Sequence, residues 1–441
     1  MAIAGTTVWR CRTTGSDTNG GGFNSARGGT DYSQQDSPQA TGTASSSGTT
    51  LTATTGIFTA AMVGNIVSNG SAWYEITAYT SSTVVTLDSA PTWTSQSIKV
   101  GGALATPGLM ASLMTVDGMR GTLKAGTYTM TTATPGAGGP VVFPTAVNDI
   151  VIEGFNTTEG DFGTPPVIAV GTSGFNNVNI VKTQSDYNKC QTIRNVKVDG
   201  RSDASVTGVV GFYLSGSNST HGNTYGCQAV RCASKGYYLG RSLISTVDGA
   251  TTGFDSPTSA HGCAAKSCTT GFSVFTTSLS HCVAYLGTTG FSCDNAATLI
   301  NCTAYKNTDG FYMLNHNNTC INCLSVSNTG IGFRKNDTAR INTLVNCATY
   351  GNGTQMTSTG FYSIPSVTAL SAAPFVNGDS GDFGLNSSSA AYSQLKAMGT
   401  PGTIPGLPSS VGYLDIGAIQ HQDAGGGGIL RNAGMNGGIN G

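Results

Sequence analysis

The chain has 441 residues and a net charge of −1, and charged side chains make up only 10% of it, against roughly a quarter in an ordinary globular domain. No basic stripe marks a nucleic-acid surface, and no apolar run approaches the roughly 20 residues that span a bilayer. Hydrophobic residues reach 38%, spread in short alternating runs beside 62 glycines, so disorder is excluded and a folded, β-rich chain is expected.

Residues 1–35 read as an N-terminal arm. It holds Val8-Trp9-Arg10-Cys11-Arg12 and Ser16-Asp17-Thr18-Asn19-Gly20-Gly21-Gly22-Phe23, a strand and a glycine turn that resemble the N-terminal signature of phage and environmental bacterial β-helix proteins. The first ten residues carry neither a basic stretch nor an apolar core of a Sec signal peptide, so export by that route is not expected. Residues 36–100 alternate over short distances, as in Thr50-Leu51-Thr52-Ala53-Thr54, Trp73-Tyr74-Glu75-Ile76-Thr77 and Val84-Val85-Thr86-Leu87-Asp88. They predict a small antiparallel β module, a little barrel, open to reading as a docking domain or as an elaboration of the stalk. Thr106-Pro107-Gly108, followed by Leu109, Met110, Leu113 and Met114, predicts a short helix that plugs the coil beginning near Leu123.

Residues 101–372 carry an internal repeat. A Gly-aromatic pair recurs at Gly211-Phe212, Gly236-Tyr237, Gly253-Phe254, Gly271-Phe272, Gly290-Phe291, Gly310-Phe311, Gly332-Phe333 and Gly360-Phe361, in steps of 17 to 28 residues. Cys227, Ser245, Cys263, Cys282, Cys302 and Cys323 each precede one of these glycines by eight or nine residues. The two series advance together. The period is too short for helical-pair repeats, and each unit divides into short β-branched and aromatic strands between Asn, Ser, Thr and Gly turns. One unit cannot bury its own apolar face, whereas stacked coils can, with like residues in ladders about 4.8 Å apart. The expectation is an all-β, right-handed parallel β-helix with a reduced, packed column of cysteines. Neither Cys227 and Cys232 nor Cys263 and Cys268 is spaced as a Cys-x-x-Cys, and no His-Cys spacing of the zinc type follows, so neither metal nor cofactor is predicted.

Residues 373–423 read as closing coils and 424–441 as a Gly-rich tail. Ala373-Pro374-Phe375, Gly381-Asp382-Phe383-Gly384-Leu385 and Tyr413-Leu414-Asp415-Ile416-Gly417-Ala418-Ile419-Gln420 are similar to the terminal segment of bacterial and phage β-helix proteins. Over roughly residues 105–423 the chain resembles the pectate-lyase-like superfamily of right-handed β-helices.

That resemblance prompts a search for carboxylates and bases on one outer face. Asn307-Thr308-Asp309-Gly310-Phe311 looks like the first active-site motif of the polygalacturonase family, which would make Asp309 a catalytic carboxylate. The adjacent Asp pair, Gly-His-Gly and Arg-Ile-Lys that should follow are missing. The next coil offers Gly332-Phe333-Arg334-Lys335-Asn336-Asp337, so Asp309 reads as a turn residue. Asn295, Asn315 and Asp337 align on successive coils, with Asp294 one residue earlier; two coils separate Asp294 from Asp337, roughly 9–10 Å, at the upper edge of an inverting pair, and such Asn/Asp columns are more often turn formers. No Glu lies between residues 200 and 360 to build a calcium cluster, and His221, His261, His281, His316 and His421 form no recognisable triad. No catalytic residue is therefore predicted, with Asp309, Asp294 and Asp337 held as the candidates should the chain be an enzyme.

The expected function is that of a structural protein on the exterior of a phage-like virion, a capsid decoration or tail-spike stalk assembled in the host cytoplasm. Its expected partners are other virion proteins and surface glycans, with no nucleic acid and no membrane; family resemblance implies a homotrimer. The alternative is a polysaccharide-degrading lyase or glycoside hydrolase on the same fold.

Overall fold

The structure, a computed structural model, describes residues 3–400 and 415–420 except 146, 173, 186–189, 202–205, 217–221, 316, 337–340, 358–360 and 365–366. The predicted tail lies outside the described residues, as do Tyr413 and Leu414 of the terminal segment. The chain forms two compact units, one of residues 1–199, 203–206 and 214–223, the other of the remainder.

The first unit combines β-helical coils with a separate barrel. Thr7–Cys11 pairs antiparallel with Gly22–Asn24 and parallel with Arg120–Lys124, which continues through Ile150–Phe155 to Gln191–Arg194. The predicted antiparallel module is a closed six-stranded barrel between Ala40 and Val100. Its core is Leu51, Val67, Ile76, Val85 and Ile98 from the strands, with Phe58 and Trp93 from the connections between them. The helix Pro107–Leu113 starts on proline at its first turn, where a missing N–H costs nothing. Its Met110, with Met114 just beyond the helix, lies over Gly121, where a Cβ would meet their Cε and Sδ at 2.7 and 3.0 Å.

The second unit is a parallel β-helix whose strands make three parallel sheets. One sheet runs through Lys235–Tyr238, Thr252–Asp255, Thr270–Phe275, Thr289–Asp294, Asp309–Met313 and Ile331–Lys335. Inside it Phe212, Tyr237, Phe254, Phe272, Phe291, Phe311 and Phe333 stack ring on ring, with centroids 4.6 to 4.9 Å apart and planes within 11°. The glycine before each ring has a physical cause. A Cβ on Gly253, Gly271, Gly290 or Gly310 would lie 2.5 to 2.6 Å from the carbonyl oxygen of the next glycine in the column. The coils close over each other there, and no side chain fits.

The cysteine column follows a corner residue in the left-handed region, at Gly226, Ile244, Gly262, His281, Asn301, Asn322 and Asn346, with φ between 49° and 63°. Folding back at that corner brings the next side chain under the carbonyl two residues earlier. Cys263, Cys282, Cys302, Cys323 and Cys347 each donate Sγ–H to that oxygen at 3.3 to 3.5 Å, and Ser245 does so at 3.0 Å. The position therefore selects a small side chain with one donor. None of the twelve cysteines is joined in a disulfide, and all but Cys190 are buried; burial pushes the Cys268 thiol up to about 12. A second corner is held by Asn307, Asn328 and Asn352: Asn307 accepts from Gly287 N at 3.0 Å, Asn328 from Asn307 N at 2.8 Å and Asn352 from Asn328 N at 2.9 Å.

The C-terminal segment does not stack as further coils. Phe375, Phe383, Leu395, Ile416 and Ala418 pack instead on Val283, Tyr285, Tyr305, Leu324 and Val326, which face outward from the sheet after the cysteine corner. Asn301 Nδ2 fixes this cover through the carbonyls of Asp415 and Gly417, at 2.6 and 3.2 Å. Beneath this cover the sheet is apolar on both faces because both are covered.

Truncating the middle of the ring stack, Phe291→Ala, is expected to cost about 3–5 kcal/mol of unfolding free energy, read from chemical denaturation. A disulfide-exchange thiol assay is expected to count about one reactive cysteine, Cys190, in the native protein and all twelve after unfolding.

Candidate functional site

The residue after each ring of the stack points outward. Strand pairing places Tyr213, Tyr238, Asp255, Ser273, Ser292, Tyr312 and Arg334 in one column across that sheet. Three residues earlier on each strand, Lys235, Thr252, Thr270, Thr289 and Asp309 form a second column.

Charge gathers at two places on this face. At one, Asp309 is 8% exposed and accepts from Arg334 Nη1 at 2.6 Å and from the Ile331 N–H at 3.1 Å, one bond to each carboxylate oxygen. The guanidinium lies 4.6 Å from the centroid of Tyr312, whose hydroxyl donates to Asn336 Oδ1 at 3.0 Å. The hydrogen bond from Arg334 to Asp309 raises the guanidinium above its ordinary range, so the arginine stays charged and is held planar between carboxylate and ring. At the other place, Lys235 Nζ sits 2.5 Å from Asp255 Oδ2 and 3.7 Å from the Tyr238 centroid, and Tyr213 lies 5.0 Å from Tyr238. Between the two lie only the short hydroxyl side chains of Ser273 and Ser292 in the first column and of Thr270 and Thr289 in the second. Phe275, half exposed, stands on the same side, in register with Asp294.

The structure separates the sequence candidates. Asp309 is not a turn residue but the first residue of its strand, buried in an ion pair. Asp294 ends the neighbouring strand and accepts from Asn315 Nδ2. Thr289 is in register with Asp309, so Asp294 lies five residues further along, about 16 Å in the strand direction. That is far outside the range of a glycosidase pair, and these two carboxylates make no dyad. Asp337 lies outside the described residues, as do His221, His316 and His421. Among the described residues no group of three or more His, Cys, Asp or Glu converges as a metal site.

Sequence reasoning missed Arg334, Tyr312, Lys235, Asp255 and Tyr238. A usable signal was present: in a Gly-aromatic-x repeat the aromatic points in, so the residue after it points out. Reading those residues down the repeats yields the whole column.

No family model matches the chain, and no curated protein does. Among solved structures, the chain is similar to pectate lyase Pel9A at 17% identity and a TM-score of 0.44, over 69% of this chain and 88% of that one. The A-module of the Azotobacter vinelandii mannuronan C-5 epimerase AlgE4 follows at 11% and 0.35, over 57% and 86%. The catalytic unit of the GH87 α-1,3-glucanase from Streptomyces thermodiastaticus strain HF3-3 follows at 10% and 0.33, over 76% and 85%. On this finding the expectation of a structural protein on a virion exterior is corrected: the similar structures are glycan-processing enzymes. The physical reason is that low charge and a reduced cysteine ladder are what stacked coils require for any purpose, so they never bore on a virion.

His281 offers a separate measure of the coil's integrity. It occupies a left-handed corner, 3% exposed, with neither ring nitrogen bonded among the described residues and its ring 5.1 Å from that of His261. Burial first, and the neighbouring His261 second, lower its pKa from 6.5 to about 4. The unfolded chain binds this proton more readily, so stability is fully present above pH 6.5 and is lost as pH falls toward 4. The loss expected in that window is about 3 kcal/mol. His281→Asn, the residue at the same corner in later coils, is expected to flatten that slope in denaturation curves taken across the window.

Proposed function

We propose that the chain acts on an extended polysaccharide, held across the strands on the outward face of the ring-stack sheet. The observation that carries this reading is the Asp309–Arg334–Tyr312 cluster: an acceptor, a planar donor with unused N–H groups and an aromatic ring side by side on a rigid sheet. Sugars present hydroxyls around an apolar ring, and a surface that offers all three groups matches both. The Ser and Thr columns beside the cluster add hydroxyl partners without obstructing a chain.

A second reading, cleavage of the bound chain, is favoured by Asp309, a buried carboxylate paired with Arg334. Neither Asp294 nor Asp255 is near enough to act as its partner: Asp294 is five residues further along its strand, and Asp255 lies three strands across, about 14 Å, and three residues, about 10 Å, along. Any such cleavage therefore rests on Asp309 and Arg334 rather than on a pair of these carboxylates.

The test is a binding panel of polygalacturonate, alginate, α-1,3-glucan and xylan, read by affinity electrophoresis, with reducing ends and unsaturated products followed in parallel. Retardation by at least one polymer is expected, weakened about tenfold by Arg334→Ala. Where products form, Asp309→Asn is expected to abolish them. A protein that migrates unretarded through every polymer would end this reading.

A further inference from the structure

We infer that Lys235, Asp255 and Tyr238 form a second, remote subsite for the same polysaccharide, so that the face holds an extended chain rather than one end unit. The inference rests on the reading of this face as glycan-binding. Tyr238, Asp255, Ser273, Ser292 and Tyr312 are consecutive partners in one outward column. Four strand steps therefore separate Tyr238 from Tyr312, about 19 Å.

The two clusters contain the same three chemistries in a different order. In each, a cation lies against a tyrosine ring and is paired with an aspartate. In each, the cation remains in contact with solvent, its side chain 28% exposed for Lys235 and 42% for Arg334. Donors thus remain for ligand oxygens at both ends, while the low Ser and Thr floor between leaves a path for the chain. Folding does not account for the remote cluster. Where it has Lys235 and Asp255, the following coils have Thr252, Thr270 and Thr289, and Ser273 and Ser292, and they pair in the same register. An ion pair this exposed contributes little to stability. A ligand that reaches both clusters gains the second contact at high effective concentration.

The experiment uses the full chain with Lys235→Thr and Asp255→Ser together, which restores the floor of the neighbouring coils, and Tyr238→Ser as an independent second variant. Each is titrated calorimetrically with polygalacturonate, alginate, α-1,3-glucan and xylan, as polymer and as the corresponding disaccharide, beside Arg334→Ala. For the polymer that binds, both remote variants are expected to lose about tenfold in affinity with disaccharide affinity unchanged, while Arg334→Ala weakens the polymer as well. Polymer affinity at the wild-type level in the remote variants, with Arg334→Ala still impaired, overturns the second subsite and leaves the glycan reading standing. Equal losses for polymer and disaccharide in the remote variants also overturn it. A wild-type protein that binds none of the four polymers overturns both.

Discussion

The structure of the second unit depends on the closeness with which one coil lies on the next. Carbonyl oxygens in the glycine column stand 2.5 to 2.6 Å from where a neighbouring Cβ would be, so side chains are barred there and admitted only elsewhere in the coil. Given that spacing, the aromatic next to each glycine has nowhere to go but onto its counterpart, and the rings stack within 11° of parallel. The cysteine corner obeys the same limit from the other side: a left-handed residue folds the chain back, and only a small donor fits beneath the carbonyl it passes. Buried asparagines at the second corner satisfy the backbone N–H groups that the bend would otherwise strand.

These features were legible in the amino-acid sequence because each is enforced at every coil. Gly, Phe and Cys recur since the geometry that demands them recurs. The barrel between Ala40 and Val100 was legible for a related reason, its alternation being the direct trace of an inside and an outside. The C-terminal segment was less so. Its Pro-Phe and Asp-Ile-Gly-Ala strands suggested closing coils, yet nothing in a short apolar strand says whether it will stack on an end or lie along a flank, and Val283, Leu324 and Val326 supply a flank that needs cover.

The face that carries the candidate site was hidden for the opposite reason. Outward residues in a stack are under no common packing demand, so Tyr238, Asp255, Ser273, Ser292, Tyr312 and Arg334 share a column without sharing a type. The pair Asp309 and Arg334 is 25 residues apart in the chain and becomes a pair only through register. Asp294 and Asp309 show the converse: two carboxylates on adjacent strands, close in sequence, held apart by their positions along those strands. Asp294 stands three residues after Phe291 and Asp309 two before Phe311, so counting from the stacked rings gives the same five-residue offset as the register.

A surface built this way has a property that loops lack. Its side chains repeat at the fixed pitch of the strands, about 4.8 Å, and their positions are set by a core that tolerates no slippage, because a slipped ring would break the stack on both sides. A ligand whose own units repeat along a line can meet such a surface at several points without either partner rearranging, which spares the ordering cost that weakens binding by mobile segments. The charged clusters fit this logic. Asp309 is buried at a cost that Arg334 offsets, and Arg334 in turn is held against Tyr312, so each polar group is oriented before any ligand arrives. The rigidity that the glycine and phenylalanine columns impose on the inside thereby becomes, on the outside, a fixed spacing between recognition points.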